Sequence, residues 1–161
     1  MVSWVSLLSL VRTPVRVSVS RHEALVERAI TVAKTSEHEK WQLGAVLTRN
    51  SRALSSAPNR FRNFPWISHV HATYHAEQAA LRKGLLNSAR GTTMYVASVA
   101  KDGTTRMARP CTKCMKALYL AGVREVVYTT DDGSYKIERV KDLPADSADN
   151  GVDTGAKVPV K

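Results

Sequence analysis

Apolar residues between Leu25 and Ala33 fall at helical spacing: Leu25, Val26, Ala29, Ile30 and Ala33 form one stripe. The preceding "SRHE" reads as a capping box, so this helix is expected to start on Ser20, receive Glu23 in return and end near Lys34. The period then changes. "WQLGAVLTRN" (41–50) reads as a strand, Asn50-Ser51 as a turn, and "RALSSAPN" (52–59) as a partner strand stopped by Pro58. A loop follows in which Arg60 and Arg62 alternate with Phe61, Phe64 and Trp66. A short helix is expected over His75–Lys83, with a small-residue face of Ala76, Ala79 and Ala80 and a stop at Gly84. "TMYVASV" (93–99) reads as a buried strand and Asp102-Gly103 as a turn. A helix over Cys111–Ala121 ends at Gly122, and "EVVYTT" (125–130) is another apolar strand. "DDGSY" is a turn, and "KIERV" (136–140) fits a short strand or a helix.

The order is thus helix, hairpin, helix, strand, helix, strand. Strands that alternate with helices late in the chain imply parallel pairing there. The expected fold class is α/β, a three-layer α-β-α sandwich with a mixed central sheet. Residues 1–19 hold Arg12 and Arg16, no acid and no basic region ahead of the apolar run Val2–Val11. They are expected to be a disordered or artefactual extension, in preference to an organelle presequence. From Lys141 the chain turns acidic and polar without periodicity, and 141–161 is expected to be a disordered tail. That leaves one domain over 20–140. No stretch approaches the roughly 18–20 apolar residues of a membrane span.

Net charge is +10, but its placement says more than its sum. Between Lys40 and Arg124 there are 14 Lys/Arg against two acids, Glu77 and Asp102. A field of that sign collects phosphates, on nucleotides or on nucleic acid, though charge alone names no partner. The two cysteines, Cys111 and Cys114, are too few for a disulfide scaffold. They point to a reducing, cytoplasmic setting with metal or redox chemistry.

The middle of the chain carries the chemistry. "TYHAEQAAL" places His75 and Glu77 at a helix start, and "ARPCTKCMKAL" places both cysteines at another. Cys111 follows Pro110, a residue favoured at helix starts, and a helix N-terminus favours the metal-binding thiolate. Cys111 and Cys114, three apart, can share a face. Two thiolates and an imidazole make three ligands, and a three-ligand zinc site leaves one position for water, the mark of a catalytic site. Glu77, two residues from His75, leaves the ligand face, so it is free to carry a proton. Read singly, "HAE" is a surface helix start, and "CTKC" a redox pair or half of a structural zinc site. Together, H-x-E followed by P-C-x-x-C is the signature of zinc-dependent base deamination.

On these residues the sequence resembles the cytidine and deoxycytidylate deaminase superfamily, from about Ser20 to Val140, and hence a cytidine deaminase-like fold. The resemblance implies that His75, Cys111 and Cys114 hold Zn(2+) and that Glu77 is the general acid/base. It implies that the N–H groups of Ala76 and Cys111 face the base carbonyl and the reacting oxygen, and that Asn59 contacts the sugar. Arg60, Arg62, Arg109 and Pro110 are further expected substrate contacts. "HAE" with "PCTKCMKALYLAGVREVVYT" is most like the deoxycytidylate and tRNA-type branch. The implied activity is deamination of cytosine to uracil on a nucleotide such as deoxycytidylate. A base deaminase acting on single-stranded DNA or on RNA/tRNA is the alternative, and a non-catalytic partner subunit of a deaminase the second. Self-association as a homo-oligomer is also implied. A second, structural zinc at His69 and His71 is not expected, because no spare cysteine accompanies them.

Overall fold

A computed structural model describes residues 20–61, 73–84 and 89–141. The expected extension (1–19) and the tail from residue 142 lie outside the described residues. Helix α1 spans Arg21–Ala33 and starts on the expected capping box. The Glu23 carboxylate accepts from the Ser20 N–H at 2.7 Å, and the Ser20 hydroxyl accepts from the Glu23 N–H at 3.2 Å. Strands β1 (Gln42–Arg49) and β2 (Arg52–Pro58) form the expected hairpin. Its turn residues Asn50 and Ser51 both have positive φ, the geometry that matches strand twist in two-residue hairpins.

Two-residue strands β3 (Arg60–Phe61) and β4 (Thr73–Tyr74) pair with each other and lead into α2 (Ala76–Lys83). Then come β5 (Thr93–Val99), β6 (Thr105–Arg106), α3 (Thr112–Leu120), β7 (Glu125–Thr129) and β8 (Tyr135–Arg139). "KIERV" resolves as a strand, because its residues continue the hairpin that turns at Asp131–Gly133. The main sheet runs β2-β1-β5-β7-β8, with β6 on the end of β5. β5 and β7 are parallel, joined through α3; the other pairs are antiparallel, so the sheet is mixed.

Every residue of β5 is buried, as a central strand with both faces covered requires. Its alternate residues divide the core into two layers. Met94 and Val96 meet Ala76, Ala80, Met115 and Leu118 from α2 and α3. Tyr95 and Ala97 meet Leu25, Val26 and Ala29 from α1. Among the described residues no helix is long and apolar enough to cross a membrane.

Two glycines are there for space. A Cβ on Gly44 of β1 would lie 2.3 Å from the Ala33 nitrogen and 2.5 Å from the Ala29 oxygen, both backbone atoms of α1. Gly84 ends α2 with ordinary negative φ, so it does not use the left-handed cap that its position after the helix suggests. Its Cβ would instead press on Leu47 Cδ2 and Ser55 Oγ, each at 2.9 Å. Gly44→Ala therefore has to push α1 off the sheet. We expect it to lower unfolding stability by about 2–3 kcal/mol or more, measured by denaturant titration. A change within about 0.5 kcal/mol would contradict this packing.

Candidate metal centre

The site forms where α2 and α3 begin on the same face of the sheet. His75 and Cys111 are the two N-cap residues, both extended, with φ/ψ of −65°/143° and −67°/165°. Neither side chain makes a capping hydrogen bond, so both are turned to another use. Cys114 lies one turn into α3 and is fully buried. The chain arrives at His75 through β4, whose Tyr74 pairs with Arg60 of β3. It arrives at Cys111 through a segment stitched to β7: the Ala108 N–H donates to the Thr129 carbonyl at 3.0 Å and the Met107 N–H to Asp131 Oδ1 at 2.9 Å.

His75, Cys111 and Cys114 bring their ligand atoms within 4.8 Å of one another. His75 Nδ1 lies 3.3 Å from Cys114 Sγ and 3.7 Å from Cys111 Sγ. A tetrahedral zinc with Zn–S of about 2.3 Å and Zn–N of about 2.0 Å separates its nitrogen and sulfur ligands by about 3.5 Å. The three residues thus fit a zinc site in distance as well as in chemistry.

Electrostatics agree with a site made for a cation. The Cys111 thiol is pulled down to about 4, first because Cys114 donates a hydrogen bond to it and then because His75 does, against the opposing effect of burial. Cys114 moves strongly upward, because it is the donor to Cys111 and because it is buried beside Glu77. Two helix N-termini add positive potential at the same point.

Glu77, only 3% exposed, stands in the first turn of α2. Burial raises its pKa above the ordinary carboxylate range, and the hydrogen bond from its own backbone N–H and the charge of His75 only partly offset that. Its Oε2 is buried with no hydrogen-bond partner. Such an orphaned acceptor costs about 1–3 kcal/mol unless something supplies a proton or a cation. Ala76, the first residue of α2, is fully buried, and a helix's first N–H groups have no intrahelical acceptor. Pro110 is buried directly before Cys111.

Two of the other expected contacts, Asn59 and Arg109, already have partners within the protein. Asn59 is 4% exposed, and its amide is already engaged. Oδ1 accepts from the Ser36 hydroxyl at 2.6 Å and the Leu43 N–H at 2.9 Å, while Nδ2 donates to the Trp41 carbonyl at 2.8 Å. Asn59 ties the α1–β1 connection to the end of β2, and only one amide hydrogen is left for a ligand. Arg109 is held by Glu138 of β8 in a two-point pair, Nε to Oε2 at 2.8 Å and Nη2 to Oε1 at 2.7 Å. Arg60 is exposed and pairs with Tyr74, the residue before His75. Arg62, His69 and His71 lie outside the described residues. Sequence reasoning missed Glu138, Ser36 and Trp41, because their partners are distant in the chain.

An imidazole and a thiolate pair spaced to hold zinc, beside a buried carboxylate, are the groups that zinc-dependent hydrolytic sites use. Residues 19–130 match the model of the cytidine and deoxycytidylate deaminase zinc-binding region, and the chain belongs to that family. No curated protein matches the sequence. Among solved structures it is similar to the cytidine deaminase of Burkholderia pseudomallei. That match has a TM-score of 0.57 and 21% identity, covering 74% of this chain and 92% of that one. The apo dCMP deaminase of cyanophage S-TIM5 matches at a TM-score of 0.53 and 24% identity, covering 68% and 82%. The same phage protein in complex with dCMP and dUMP matches at a TM-score of 0.51 and 24% identity, covering 66% and 78%. These likenesses establish a cytidine deaminase fold.

Zinc binds cysteine as thiolate, and Cys114 is shifted upward, so affinity should rise with pH and binding should release protons. Calorimetry in two buffers of different ionisation enthalpy is expected to show that release, and Cys114→Ala to purify with less than a tenth of the wild-type zinc. Proton-neutral binding, or full zinc content in the variant, would refute the ligand assignment.

Proposed function

We propose that this protein catalyses the zinc-dependent hydrolytic deamination of cytosine to uracil, with a nucleotide such as deoxycytidylate as substrate. One observation carries the reading: a buried carboxylate, Glu77, with a raised pKa and an unpartnered oxygen beside the His75, Cys111 and Cys114 cluster. A structural zinc site has no use for such a group, whereas a general acid/base near neutral pH does. Zinc held by these three residues would supply the Lewis acidity that makes water nucleophilic at neutral pH.

Glu77 accepts the proton that the attacking water loses as its oxygen bonds to C4, and delivers it to ring N3. Glu77 then takes the remaining proton of that water from the C4 hydroxyl and gives it to the exocyclic amine, so that the C4–N4 bond breaks, the C4 oxygen becomes the carbonyl and ammonia leaves. Water is consumed and uracil remains. The Ala76 N–H holds the base carbonyl, and the burial of Glu77 keeps bulk water from its carboxylate. Arg60 brings positive charge to the mouth beside His75. The S-TIM5 protein of the same fold is seen with dCMP and dUMP, the substrate and product of this reaction on a monophosphate.

A second reading is a base deaminase acting on single-stranded nucleic acid. It rests on Phe61, 48% exposed and stacked on His38 at 4.9 Å, which next to Arg60 would serve as a platform for a splayed base.

Glu77→Gln should keep its zinc and lose turnover of deoxycytidylate by about a hundredfold or more, followed by mass spectrometry of the product. Stability should move the other way. Because the folded pKa of Glu77 lies above its unfolded value, wild type loses stability as pH rises through it, and the glutamine does not. In metal-free protein the Tm advantage of Glu77→Gln is thus expected to grow from pH 5 to pH 8. Near-normal turnover by the variant would overturn the mechanism.

A further inference from the structure

The carboxyl ends of the parallel strands β5 and β7 define one rim, where ligands of open α/β sheets bind. Besides the zinc residues, that rim carries Trp41 and Arg106. Trp41 precedes Gln42, which pairs with Val99 at the end of β5, and Arg106 of β6 pairs with Ser98. The Arg106 carbonyl accepts from the Thr129 hydroxyl at 2.7 Å, so its backbone is fixed to the end of β7. The guanidinium lies 5.4 Å from the centroid of the Trp41 ring.

Trp41 is anchored at both backbone groups. Its N–H donates to His38 Nδ1 at 3.2 Å, and its carbonyl accepts from Asn59. Its indole Nε1–H, by contrast, is buried with no acceptor. Arg106 forms no ion pair among the described residues. The nearby carboxylate that feels its charge, Asp102, is engaged by the hydroxyl and N–H of Thr104. Arg109, the other arginine ahead of the cysteines, is taken by Glu138. The rim therefore offers a half-buried cation, purely a donor, on a rigid aromatic plate. What it lacks is a group that only accepts.

We propose that Arg106, stacked over Trp41, binds the phosphate monoester of the substrate and so sets a preference for nucleotide over nucleoside. The proposal rests on the cytosine-nucleotide reading of the same site. A dianionic monoester accepts from two guanidinium N–H groups at once, and Arg106 needs no carboxylate displaced before it binds. The cation–π contact keeps the guanidinium from swinging into solvent while leaving its N–H edges open.

The test compares kcat/KM for deoxycytidylate, deoxycytidine and a single-stranded cytosine-bearing oligonucleotide in zinc-loaded wild type, Arg106→Gln and Trp41→Phe. Binding of deoxyuridylate, deoxyuridine and inorganic phosphate is measured alongside by calorimetry. Arg106→Gln should lower the ratio of deoxycytidylate to deoxycytidine efficiency by about tenfold to a hundredfold, mainly through KM. Trp41→Phe, which keeps a ring beneath the guanidinium, should lower it by about two- to tenfold. A ratio unchanged in both variants overturns the proposal, as does a loss confined to the oligonucleotide. If wild type turns over no cytosine substrate, the deaminase reading fails. The binding arm still decides: deoxyuridylate binding no tighter than deoxyuridine in wild type refutes the phosphate site.

Discussion

The structure depends on two helices starting at one point. The N-termini of α2 and α3 converge on the same face of the sheet, and each offers its N-cap side chain to the same small volume. Two sulfurs, an imidazole nitrogen and a carboxylate meet there, Cys114 and Glu77 are buried, and one carboxylate oxygen is left without a partner. Acceptors packed this closely repel one another unless a cation sits among them. The helix dipoles lessen that cost and do not remove it. Binding a divalent ion is the balance the site requires, and the spacing of its atoms is that of tetrahedral zinc.

Much of the remaining architecture serves to hold those two helix starts in place. Gly44 lets α1 lie directly on β1, and Gly84 lets the end of α2 lie against β1 and β2. The segment entering Cys111 is bound to the end of β7 and the turn after it, and its last charged residue, Arg109, is bound by Glu138 on the neighbouring strand. The connection between α1 and β1 is pinned by Asn59 through Ser36, Leu43 and Trp41. Rigid walls on three sides suit a reaction in which one carboxylate must meet first a ring nitrogen and then an amine.

The parts legible in the sequence are those whose cause is local. The capping box at Ser20, the apolar stripe of α1, the buried run of β5 and the parallel β5-α3-β7 unit all follow from periodicity and punctuation. H-x-E and P-C-x-x-C are legible because each set sits within one turn of a helix start. The two-residue strands β3, β4 and β6 are too short to carry a period, and β8 alternates apolar and charged residues too loosely to exclude a helix. The occupations of Asn59 and Arg109 are illegible for a different reason. Their partners Leu43 and Glu138 lie 16 and 29 residues away, so residue type alone makes both look free for a ligand. Arg106 and Arg109 look alike in "TRMARP", and only the fold gives one a carboxylate and the other an indole.

X-ray absorption at the zinc edge of the loaded protein tests the central claim most directly. It should show two sulfur scatterers at about 2.3 Å and a lighter shell of nitrogen and oxygen at about 2.0 Å. A spectrum with no sulfur, or with one, would contradict the convergence of His75, Cys111 and Cys114 on a single ion.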